Sequence, residues 1–110
     1  MDKVRKGLAS VELILSKLQQ VEDMQRRAVD CAKQKMDGAS GQNKLVYHDM
    51  YRQLKAEYKV TYENIESVYE IRDGIQQNGY VWQYKLLLRK IEKYADVWLR
   101  AQLKTNEEVM

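Results

Sequence analysis

The stretch from Tyr47 to Ile75, YHDMYRQLKAEYKVTYENIESVYEIRDGI, decides the fold of this chain. Five of the protein's eight tyrosines fall within it, Tyr47, Tyr51, Tyr58, Tyr62 and Tyr69, at steps of 4, 7, 4 and 7. Such spacing puts the rings along one stripe of an α-helix, because its turn brings residues three, four and seven apart onto a shared face. A tyrosine carries a large apolar ring and a hydroxyl that needs water or a partner. The stripe therefore suits a half-wet packing or binding surface. Around it, Leu54, Thr61, Ile65, Val68 and Ile75 complete a core line with Tyr47, Tyr51 and Tyr58. Tyr62 and Tyr69 stand on the flank of that line, beside Met50 and Ile71.

Working outward, the chain reads as three helices. The first spans about 2–36, with Val4, Leu8, Val11, Ile14, Leu15, Leu18 and Val21 as a wide apolar face. That face becomes small and partly polar at Gln25, Ala28 and Ala32. Asp2 is the expected N-cap and Gly38 the expected stop. Asp37 to Asn43 forms the one clear loop, with no large apolar residue. The second helix spans about 44–76, weakened near its end by Gly74 and closed by Gln77-Asn78-Gly79. The third spans about 80–104, with Tyr84, Leu87, Leu88, Ile91, Tyr94, Ala95, Trp98 and Ala101 facing inward. The polar tail 105–110 is expected to fray. Short links make successive helices antiparallel. The expectation is thus a single all-α domain, an elongated antiparallel three-helix bundle, completed by self-association if its surplus apolar surface needs cover.

Composition supports this and limits the function classes. The 110 residues contain no proline and only five glycines, which favours long uninterrupted helices over turn-rich β or α/β folds. One domain with a modest core is what this length supports. A formal charge of +3 does not by itself imply nucleic acid. A single cysteine, Cys31, excludes an intramolecular disulfide; it reads as a small packing residue beside Ala28 and Ala32. No apolar run approaches the ~20 residues of a membrane span, and Glu12 and Lys17 interrupt any signal-like core. A cytoplasmic protein without membrane, cofactor or small-molecule substrate is expected.

Chemistry-bearing constellations are few. His48, the only histidine, lacks companions at metal-ligand spacing. Glu63, Glu66, Glu70 and Asp73 form an acidic row on an outer helix face, without the differing environments that acid–base catalysis needs. No Gly-rich phosphate loop is present. The chain is therefore read as non-enzymatic. Lys3, Arg5 and Lys6 open the first helix while the acidic row closes the second. Both placements oppose the helix dipole, so an antiparallel hairpin that brings those ends together relieves both.

Two surfaces remain as candidate sites. Trp82, Leu86, Leu99 and Leu103 point away from the inward stripe of the third helix, and with Tyr58, Tyr62, Tyr69 and Ile71 they form the expected partner-binding set. Lys85, Arg89, Lys93, Arg100 and Lys104 form a basic row at steps of 4, 4, 7 and 4, the alternative set for nucleic-acid contact. Glu92 and Asp96 dilute its field. Tyr69-x-x-x-Asp73 also resembles the Tyr-x-x-x-Asp/Glu signal of the small helical-hairpin proteins of type VII secretion. That resemblance covers five residues, and the tryptophan of their hairpin turn is missing from the 37–43 loop; it implies a small helical secretion-system partner. The leading expectation is a protein–protein interaction module (an adaptor, inhibitor or assembly factor) or a homo-oligomer using an aromatic and apolar helix face.

Overall fold

The computed structural model describes residues 2–109, with side chains described over 2–101. Its order is α1 (Asp2–Gly38), α2 (Gln42–Asn78) and α3 (Trp82–Val109). Both links are three residues long, 39–41 and 79–81, and each contains a glycine at positive φ, Gly41 at 65° and Gly79 at 86°. These are the turns where a side chain would strain the backbone. The Gly79 N–H donates to the Ile75 carbonyl at 2.9 Å and closes α2. The helices run two residues past the expected ends at 36, 44 and 76, so the first loop is shorter than 37–43. In place of a tail from Thr105, α3 continues to Val109, since no glycine or proline interrupts 105–109.

The core is a single cluster along α1: Val11, Ile14, Leu15, Leu18 and Val21 meet Val68, Ile71 and Ile75 of α2 and Leu88, Ile91 and Ala95 of α3. α1 packs most extensively on α2, less on α3, and α2 and α3 touch each other only narrowly. The Cα trace measures 60 × 30 × 16 Å, with a radius of gyration of 17.4 Å. A compact chain of this length would have about 13 Å. The bundle is therefore long and flat, with α1 as its keel and one side open between α2 and α3.

That geometry corrects several sequence-based assignments. Ile71, expected on a flank, is buried, because it lies three residues after Val68 and four before Ile75 on the same line. Leu99, expected to point outward, packs against the core, whereas Leu87, expected inside, is 49% exposed, and Ala101 is exposed as well. The reason is common to all three: α3 leans on α1 rather than into the α1–α2 crevice, which turns its buried stripe toward Leu88 and Leu99. Cys31 is exposed rather than packed. Tyr47, Tyr51 and Tyr58 are half-buried, and Tyr62 and Tyr69 are exposed.

Two glycines inside helices seat aromatic rings. A Cβ on Gly7 would lie 2.7 Å from Tyr80 Cγ, and one on Gly74 would lie 2.7 Å from Tyr84 Cζ. Tyr80, just beyond α2, thus rests on the first turns of α1. The basic opening of α1 and the acidic close of α2 are brought to the same end, yet no ion pair joins the two rows among the described residues.

Candidate functional site

Where α2 and α3 diverge, they leave a groove of about 660 Å³. From α2 it is lined by Val60, Asn64, Ser67, Glu70 and Ile71, and from α3 by Tyr84, Leu87, Lys90, Ile91 and Tyr94. The floor is apolar and the rims are polar, acidic on α2 at Glu70 and basic on α3 at Lys90. Val60, Asn64, Ser67 and Ile71 follow steps of 4, 3 and 4, and Leu87, Lys90, Tyr94 and Val97 steps of 3, 4 and 3. Such steps mark a seam along which one more helix can pack. Val60, Leu87 and Val97 are 44%, 49% and 57% exposed, far more than the side chains of the core. This second seam could have been read from the sequence, but the first stripe on α3 overlaps it and absorbs the same residues.

A polar cycle adjoins the groove through Tyr94. Gln25 of α1 and Thr61 of α2 are 1% and 0% exposed. The Thr61 hydroxyl donates to Gln25 Oε1 at 2.6 Å, the Tyr94 hydroxyl lies 2.7 Å from Thr61 Oγ1, and Gln25 Nε2 donates to Tyr94 at 3.4 Å. With Tyr94 donating to Thr61, each hydroxyl gives one hydrogen bond and accepts another. One residue from each helix is thereby satisfied, and none of the described buried side-chain polar atoms lacks a partner. Tyr94 belongs to both structures: its hydroxyl closes the cycle and its ring lines the groove.

The charges on α3 are sorted by this packing. Lys17 of α1 bonds Glu92 and Asp96, each at 3.0 Å. Its hydrogen bonds to those carboxylates, Glu92 first, raise the Lys17 pKa. Glu92 and Asp96 thus share one ammonium between two carboxylates, so they serve the α1 contact and still offset part of the basic row. Arg89, Lys90, Lys93 and Arg100 are exposed and form no ion pair among the described residues. Lys85 stands 5.2 Å from the centre of the Tyr80 ring. On α2, Glu63, Glu66 and Glu70 are exposed and likewise without an ion pair among the described residues, while Asp73 lies 4.0 Å from Arg72 Nε.

The expected partner set divides three ways. Ile71 lines the groove from within the core, and Leu99 is a core contact on the α1 side. Tyr62, Tyr69, Trp82 and Leu86 are exposed, Trp82 at 64%. Tyr58 donates to Glu22 Oε1 at 3.2 Å, and burial, then the Glu22 charge, pushes its hydroxyl pKa up. Tyr69 carries the Arg72 guanidinium 4.9 Å above its ring. The side chains of Leu103 and Lys104 lie outside the described residues. Val60, Leu87, Lys90 and Tyr94 are groove residues absent from the expected set. A second hollow, of about 630 Å³, is lined by Arg52, Lys55, Ala56, Tyr58, Lys59 and Tyr62. Among the described residues no cluster of three or more His, Cys, Asp or Glu could hold a metal, and no helix is long and apolar enough to cross a membrane.

Comparison with protein-family models, curated proteins and solved structures returned no match.

Proposed function

We propose that this protein is a non-catalytic helical interaction module, an adaptor or assembly factor, whose α2–α3 groove receives an apolar helix. One observation carries the reading: an apolar-floored groove left where two helices of one bundle diverge. A helix laid there would cover Val60, Leu87 and Val97, which the chain leaves largely in water. Helix-in-groove recognition uses such anchors at three- and four-residue spacing.

Leu87→Glu tests the reading. The side chain is half exposed, so folding tolerates the change, but a carboxylate on the groove floor would be buried by any bound helix. Binding of a helical partner should fall by at least ~100-fold while helical circular dichroism is unchanged. Undiminished binding removes the groove from the function.

A second reading has its own observation. The hollow over Arg52, Lys55 and Lys59 is walled by Tyr58 and Tyr62, and cations beside aromatic rings suit a single-stranded nucleic acid. Affinity for an oligonucleotide that drops steeply with added salt would favour it, and no binding at low salt would eliminate it. The basic row of Lys85, Arg89, Lys93 and Arg100 would be the other contact in that case.

A further inference from the structure

We infer that the helix received by the groove is α3 of a second copy of this chain, giving a two-fold homodimer in which the acidic row of α2 faces the basic rim, Lys90 and Lys93, of α3 in the other copy. This rests on the groove being an interaction surface and adds what occupies it. The argument is charge complementarity. On α2, moving round the helix from the groove, one passes from Ser67 to Glu63 and Glu70, then to Glu66. On α3, moving round from the groove, one passes from Leu87 and Tyr94 to Lys90 and Val97, then to Leu86 and Lys93, whereas Arg89 turns to the opposite side beside Ser10 and Leu13 of α1. The groove is therefore bordered by acid on one helix and by base on the other. Among the described residues, neither Glu63, Glu66 and Glu70 nor Lys90 and Lys93 find an ion pair within the chain.

A surface with this order is complementary to itself under a two-fold axis. Rotating a copy sets its α3 beside the first copy's α2 and its α2 beside the first copy's α3. The apolar floors then meet in the middle, and each acidic row faces a basic one, twice per dimer. Leu86 and Val97, outside the monomer core at 52% and 57% exposure, enter the contact with the basic row. Isologous pairing of this kind requires one patch to serve both partners. A net charge of +3 per chain offers little long-range repulsion.

The test uses the full chain in light-scattering chromatography and sedimentation at micromolar concentrations. Wild type should run at twice its 13.1 kDa mass. The paired variants Lys90→Glu/Lys93→Glu and Glu63→Lys/Glu70→Lys should each bring like charges together at both contacts, raising the dimer dissociation constant at least ~100-fold. All four side chains are exposed, so helicity should match wild type. Mixing the two variants should restore a dimer, because each then meets its opposite on both sides. Added salt should weaken the wild-type dimer, since the charged rims remain near water.

A wild type that stays monomeric overturns the inference. So do variants that dimerise as well as wild type, or a mixture that fails to recombine while both variants are helical. If a paired variant does not fold, Leu87→Glu is the replacement, and its undiminished dimerisation overturns the inference equally. A strict monomer that still binds another helical protein through Leu87 leaves the module reading standing; a monomer without such binding ends both.

Discussion

Gly7 and Gly74 sit where helix propensity and packing disagree. Alanine in a helix interior is favoured over glycine by about 1 kcal/mol. Added Cβ atoms at these positions would, however, enter the rings of Tyr80 and Tyr84. Overpacking of that kind costs about 1–3 kcal/mol. The two sites should differ in sign or size. At Gly7 the nearest atoms are Tyr80 Cγ, Cδ1 and Cβ, the base of the ring, which cannot move without the link itself. At Gly74 they are at the hydroxyl end of Tyr84, which can swing. Gly7→Ala should lower unfolding free energy by up to ~2 kcal/mol, net of the propensity gain, and Gly74→Ala by less. Urea denaturation decides it, and stabilisation by Gly7→Ala would refute the seat. At the same scale, Thr61→Val removes a hydroxyl that both Gln25 and Tyr94 use. Leaving buried polar groups without a partner costs ~1–3 kcal/mol. The triple replacement of Gln25 by Leu, Thr61 by Val and Tyr94 by Phe should cost less than the three single changes summed, since no orphan remains. A mutant cycle that is strictly additive would mean the cycle is not a unit.

Among the elements, α3 is the one whose attachment is electrostatic as well as apolar. It meets α1 through Leu88, Ile91 and Ala95, and through Lys17 between Glu92 and Asp96. The raised pKa of Lys17 fixes the direction of its pH dependence. Its contribution is complete below the unfolded lysine pKa and disappears as pH rises through the higher folded value. The stability difference between wild type and Lys17→Met should therefore be constant across neutral pH and shrink above about pH 10. A gap that instead closes toward acid pH below neutrality, with no alkaline loss, would assign the effect to other groups. Tyr58, also raised by burial and by Glu22, links α2 to α1 with the same alkaline sense. On α2, Glu63, Glu66 and Glu70 form no ion pair among the described residues.

At the scale of the whole molecule, the flat shape is the consequence of α1 being a shared keel. Its wide apolar face from Val4 to Val21 accepts α2 on one side and α3 on the other. α2 and α3 then have little need of each other, and the groove follows. The charge-swapped pairs and Leu87→Glu act at this scale, because they alter what meets the open side and leave the keel alone. Mass in solution is thus the measurement that tests the proposed dimer.

The sequence by itself determined that the chain is all-helical, that it has three helices, and that Val11, Ile14, Leu18 and Val21 are core. Those properties are local: periodicity, absence of proline and the positions of glycines are read within one turn of each residue. It also showed the acidic and basic rows as stripes. Only the tertiary structure decided which of two adjacent stripes α3 buries, placing Leu99 inside and Leu87 at the surface. It alone joined Gln25, Thr61 and Tyr94 into one polar cycle and made Gly7 and Gly74 seats for tyrosines. The physical reason is rotation and offset between helices. Neighbouring stripes on an amphipathic helix have similar composition, so the spacing of residues along one helix cannot say which stripe its neighbours cover.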